Sequence, residues 1–180
     1  MEEIKTQVSN LQVSLTEVQL ALEYQSEISL EAELMLKYKS LLFITRIIIE
    51  YVIPKTAILI DKKEKLNILK PFNKILSDKK LQKEISDATL KEITKIKNRI
   101  ENMISDSFKE QIDYIRDKYI AHNDFGNRES INIDLKAISN MADELAKELN
   151  SFCEFLGLST MSVKPLKVNS ISDLIDKLKT

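Results

Sequence analysis

Glycine occurs twice and proline three times in 180 residues, and this scarcity of chain breakers constrains the fold more than any other feature. Tight hairpins need residues that tolerate unusual backbone angles, and few positions here supply them. The charged residues are mostly Lys and Glu, both good helix formers. The pattern predicts an all-α protein, an up-down helical bundle of about five to six helices joined by short connections. With 43% apolar and 31% charged residues the chain is that of a folded protein. Its length suits one ordinary domain.

Apolar spacing divides the chain. Ile4, Val8, Leu11, Leu15, Val18 and Leu22 alternate at steps of four and three, a heptad seam. The next seam positions, Gln25 and Ser29, are polar, so the pattern fades there. An N-terminal amphipathic heptad helix over 1–30 follows, packed on the core or on a dimer partner. A second helix is expected from about Glu31 to Val52. It is apolar nearly all round from Leu41 to Ile49, hence central, with Pro54 ending or kinking it. The run D-K-K-E-K, 61–65, reads as a solvated connection, and a short helix around Leu66 to Leu76 follows, interrupted by Pro71.

Ser77 and Asp78 suit the start of the next helix, which carries Leu81, Ile85, Ile93, Ile96, Ile100 and Met103. The spacing continues through Ile104, Phe108, Ile112, Ile115 and Tyr119, as one bent helix or two. N-D-F-G-N at 123–127 is turn chemistry. The last long helix spans Asp134 to Leu156 and presents Leu135, Ile138, Ala142, Leu145, Leu149, Phe152 and Leu156, with Gly157 where a left-handed cap belongs. The bundle proper thus occupies 31–158. A C-terminal tail, 159–180, holds a short amphipathic helix over Ile171 to Leu178.

The formal net charge of −1 supplies no bulk attraction for nucleic acid, and DNA is not an expected partner. Lysines cluster at Lys62, Lys63 and Lys65, at Lys79, Lys80 and Lys83, and at Lys91, Lys95 and Lys97. Each cluster reads as a solvated face. The single cysteine, Cys153, permits neither an intrachain disulfide nor a cysteine metal site, and fits a reducing, cytoplasmic setting. The start, M-E-E-I-K, lacks the regions of a signal peptide. Leu41 to Ile60 is interrupted by Arg46, Glu50, Pro54 and Lys55, so no membrane span is expected.

One segment carries chemistry: R-D-K-Y-I-A-H, from Arg116 to His122, the only histidine. On a helical wheel with Ile112 at zero, Arg116 falls at roughly +40° and His122 at roughly −80°, flanking Tyr119 at the edges of the apolar stripe. They are separated by about 9 Å along the axis, too far for a simple mutual hydrogen bond but within reach of one phosphodiester. Two copies of this helix about a two-fold axis bring two Arg and two His into one cleft. Cleavage of RNA through its own 2′-hydroxyl needs a group that exchanges protons near neutral pH, which imidazole does. A guanidinium stabilises the negative charge of the transition state. Asp124 can fix the imidazole tautomer. The alternatives are a histidine that caps a helix end and an Arg116 that pairs with Asp113. Asp113, Asp117 and Asp124 suggest a magnesium site only weakly, because their wheel angles are spread.

The segment R-D-K-Y-I-A-H-N-D resembles the signature of the HEPN superfamily, in which Arg, a polar follower and a His stand at the end of a helix. Arg116, Asp117 and His122 match those places. Ala121, His122 and Asp124 resemble the abortive-infection branch, as does a long apolar helix followed by an Asp-Lys-rich connection. The resemblance spans about residues 31–157. It implies an α-helical bundle that forms a homodimer through the Arg116–His122 helix. The implied activity is that of a metal-independent endoribonuclease, a toxin or antiphage effector that uses no cofactor and no metal. Arg116 and His122 would be catalytic, with Asp117, Lys118, Tyr119 and Asp124 in support. RNA is the implied substrate, and a cognate antitoxin or neighbouring defence protein the implied partner. Members paired with a nucleotidyltransferase antitoxin often carry Tyr two residues after the His, where this chain has Asp124. The competing reading is a non-catalytic helical dimerisation, interaction or nucleotide-binding module.

Overall fold

The computed structural model of the chain describes residues 1–117, 134–160 and 171–179. Among the described residues there are nine helices and no strand. They are α1 (Glu2–Ser29), α2 (Ala32–Lys37), α3 (Lys39–Ile60), α4 (Lys70–Ser77), α5 (Lys79–Lys83), α6 (Asp87–Met103), α7 (Asp106–Ile115), α8 (Leu135–Phe155) and α9 (Ile171–Lys179). The five longest, α1, α3, α6, α7 and α8, make the bundle, and the short pieces are connections that happen to be helical.

α1 is the central strut. Its whole seam, Ile4 to Leu22, is buried in the main core against α3 and α8. Cross-helix pairs fix its direction. Gln12 donates to the Cys153 thiol (3.5 Å) and Gln19 to Asp143 (2.6 Å), so α8 runs antiparallel to α1. Glu17 accepts from Lys55 (2.7 Å) and Tyr51 (2.9 Å), while Ile28 packs in one cluster with Leu41, so α3 is antiparallel too. The Lys55 and Tyr51 hydrogen bonds hold the Glu17 carboxyl below its ordinary range. α6 closes the bundle against α8, where Arg99 grips Glu148 through two hydrogen bonds of 2.6 and 2.7 Å. A second, smaller cluster of Ile28, Leu34, Leu41 and Ile175 fastens α2 and α9 to the ends of α1 and α3.

Several boundaries depart from the sequence expectation. The second helix does not run unbroken from Glu31 to Val52. It breaks at Tyr38, which is extended (φ −117°, ψ 95°), and then passes straight through Pro54 to Ile60. Pro54 leaves the Glu50 carbonyl without its helical donor. The turn beyond it nevertheless buries Thr56, Ala57, Leu59 and Ile60, and that packing outweighs one missing bond. Residues 41–49 are not central: Leu42, Phe43 and Ile47 face outward. Pro71 starts α4 rather than interrupting a helix, because a proline in the first turn forfeits no hydrogen bond. Asp78 caps only the short α5, and Ser86 caps the longer α6. The stretch after Met103 is a second helix, not a bend.

Cys153 lies wholly within the core, and burial pushes its thiol up to about 11. It therefore stays protonated and unreactive at neutral pH. A thiol reagent is expected to label the native protein no faster than it unfolds, with labelling rising across a denaturant series alongside the loss of helical signal. Rapid labelling in native buffer would contradict this packing.

Candidate functional site

The described part of the motif stands at the end of α7, and each step of its placement has a local cause. Ser105 begins the helix by accepting from the Phe108 N–H (3.2 Å). Ile112 and Ile115 are buried in the main core and fix the rotation of the helix. That rotation leaves Lys109, Asp113 and Arg116 along one flank, at i, i+4 and i+7. α7 packs against α3, and Lys109 meets Asp61 at the end of α3 (3.3 Å). Ser105→Ala is expected to cost about 1 kcal/mol, read as a lowered denaturant midpoint at unchanged slope. An unchanged midpoint would show that this cap contributes nothing.

Arg116 is 34% exposed and has carboxylates on both sides. Its Nη1 lies 3.2 Å from Asp113 Oδ1, and its Nε donates to Asp117 Oδ1 at 3.0 Å. The Asp117 hydrogen bond, with the charges of Asp113 and Asp61 behind it, raises the guanidinium's already high pKa, so it is a permanent cation. Asp61 is itself held below its ordinary range by the Lys63 N–H and by Lys109. The result is a half-buried cation whose carboxylate partners nearly balance its charge. A phosphate oxygen has the same geometry as the carboxylate oxygens already on the fork, so an incoming phosphodiester can replace one of them.

Of the predicted site residues the structure therefore places Arg116 and Asp117 in contact. Lys118, Tyr119, His122 and Asp124 lie outside the described residues. Asp113, the alternative partner for Arg116, is indeed bound to it. Asp61 and Lys109 were missed by sequence reasoning: 61–65 reads as a plain solvated connection, and no periodicity relates residues 48 positions apart. Lys62, Lys63 and Lys65 are exposed at that connection, whereas Lys95 and Lys97 pair with Glu92 and Glu101 on their own helix. Among the described residues no group of three His, Cys, Asp or Glu is arranged to hold a metal, and no helix is long and apolar enough to cross a membrane.

A groove of about 490 Å³ opens between α1 and α8, lined by Gln19, Glu23, Glu27, Ser139 and Asp143 among others. It carries carboxylates and no lysine or arginine, so it does not suit a polyanion.

The architecture and the helix-end arginine belong to the class of all-helical HEPN-type domains. Within that class, the HEPN model described as AbiU2 matches residues 2–177, nearly the whole chain. The chain belongs to this AbiU2 family, a HEPN group of the abortive-infection type. No curated protein and no solved structure matches it.

Proposed function

We propose that this protein is a metal-independent endoribonuclease acting in the cytoplasm as a toxin or abortive-infection effector. Membership of an abortive-infection HEPN family supports that role. The observation that carries the chemistry is Arg116, a permanently charged fork at the edge of the core, held by carboxylates that a phosphate can displace. In this reading the 2′-hydroxyl of one nucleotide attacks the adjacent phosphorus and its proton passes to His122. The P–O5′ bond breaks, and the departing oxygen takes up a proton. The products are a 2′,3′-cyclic phosphate and a 5′-hydroxyl. Arg116 binds the non-bridging oxygens as negative charge accumulates there. Asp117 and Asp113 hold the guanidinium between turnovers. Pairing of two motif copies in a homodimer supplies a second imidazole, so that one can act as base and the other as acid. A cognate antitoxin or neighbouring defence protein would restrain the activity.

The test is direct. Purified protein incubated with RNA in EDTA is expected to yield fragments ending in cyclic phosphate. Intact RNA across a range of sequences and protein concentrations would remove the nuclease reading. The second reading, a non-catalytic interaction or nucleotide-binding module, draws on the exposed apolar side of α3. It predicts that alanine at Arg116 or His122 leaves the cellular phenotype unchanged. Polar substitution at Leu11 or Leu15 does not separate the two, because both residues are buried within their own chain.

A further inference from the structure

The outer side of α3 is apolar and uncovered. Leu42, Phe43 and Ile47 are 47%, 63% and 47% exposed, and Tyr51 extends the row. Phe43, Ile47 and Tyr51 stand at i, i+4 and i+8, with Leu42 beside Phe43, so they form one patch along the helix. The opposite side of the same helix packs inward through Leu41, Val52 and Leu59. Polar residues would hold this helix equally well in a chain that stayed alone, so the composition of the outer side has no explanation within one copy.

Area and charge together identify what covers it. The exposed parts of the four side chains amount to on the order of 400 Å², the scale at which an apolar patch marks a partner surface. That is about half of the roughly 800 Å² that each side of a standard interface buries, and such interfaces are apolar over about half to two-thirds of their area. The charged residues within the patch are Arg46 and Glu50, one turn apart and joined at 2.6 Å. They are equal and opposite and lie on one row. A copy of α3 laid antiparallel brings each Arg46 toward the other's Glu50, so the face is complementary to itself. A partner of one charge sign gains nothing from it.

We propose that two copies of the chain associate through this face of α3, packed antiparallel about a two-fold axis near Ile47. The proposal rests on the two-copy part of the functional reading and gives it a surface. It is tested by mass rather than by cleavage, so either can fail alone. At tens of micromolar the full chain is expected to sediment at twice its 20.8 kDa. Phe43→Asp and Ile47→Asp are each expected to weaken association on the order of 100-fold and return the mass to one copy, with helical content unchanged. Val13→Asp, an exposed site on α1, should leave the doubled mass in place. As a check that needs no destabilising charge, Ile47→Cys protein treated with a short bis-maleimide is expected to give a covalent dimer, while the parent, whose Cys153 is buried, does not. A parent that sediments as one copy, doubled mass retained by both aspartate variants, or no cross-linking through position 47 would overturn the proposal.

Discussion

Alanine at Arg116 or His122 is expected to lower RNA cleavage in EDTA by roughly 100- to 1,000-fold or more, the largest change any single substitution should produce in activity. For Arg116 the expectation follows from geometry. Its guanidinium already binds two carboxylate oxygens, at 3.0 and 3.2 Å, so it is shaped to bind the non-bridging oxygens of a phosphorane. Removing one such donor from a reacting oxyanion commonly costs about two to three powers of ten in rate. Arg116→Lys keeps the charge and loses the fork, so it should fall between the parent and alanine. His122→Ala removes the group that moves the proton, a contribution of about two to four powers of ten. The double variant should be little worse than the weaker single one, because both groups serve one transition state. Gel assays with matched circular dichroism check all four. Arg116 sits at the edge of the core, so its loss should leave the helices standing. If both alanine variants cut as fast as the parent, the cleavage comes from elsewhere.

The largest effect on stability is expected at Phe152. Its ring meets Phe72 with centroids 4.1 Å apart and planes tilted by 36°, and neither is accessible to solvent. This contact joins α8 to α4 and lies in the main core with the seam of α1. Phe152→Ala should cost about 3–5 kcal/mol from lost burial and the cavity left behind. Against a typical total of about 5–15 kcal/mol that is a large share. In a chain of this length the melting temperature should fall on the order of 10 °C. Phe155, three residues on and 45% exposed, is the control: Phe155→Ala should change stability by no more than about 1 kcal/mol. Equal losses at the two positions would mean that the packing described for α8 is wrong.

The difference between those two phenylalanines was legible in the sequence, since Phe152 falls on the three–four spacing of its helix and Phe155 does not. The same spacing correctly marked Ile4 to Leu22 as buried. It failed along α3 because a count of apolar residues says which side chains avoid water and not whether a neighbour exists to cover them. α1 covers one side of α3, and Phe43 and Ile47 are left on the other. Pro54 misled for a related reason: local chemistry predicts a break, but burial of the next turn decides. At the site, Arg116 with its polar follower was visible as a short local motif. The grip of Asp61 on Lys109 was not, because it depends on how two separate helices come to rest.

That grip has its own support. Asn67 is buried in the turn after α3, where its amide donates to the Leu59 carbonyl and its oxygen accepts from the Leu69 N–H. The Ile68 N–H also returns to Leu59, so the turn is buckled shut on the helix end that carries Asp61. α7 is thus a short rod clamped at its foot, by Ser105 below and Lys109 alongside, and pinned through Ile112 and Ile115. A pull exerted on Arg116 is passed into the body of the bundle as load on a fixed beam, with no hinge beneath the arginine to absorb it. A side chain at position 67, which touches nothing in the motif, therefore helps set the angle at which the motif is presented.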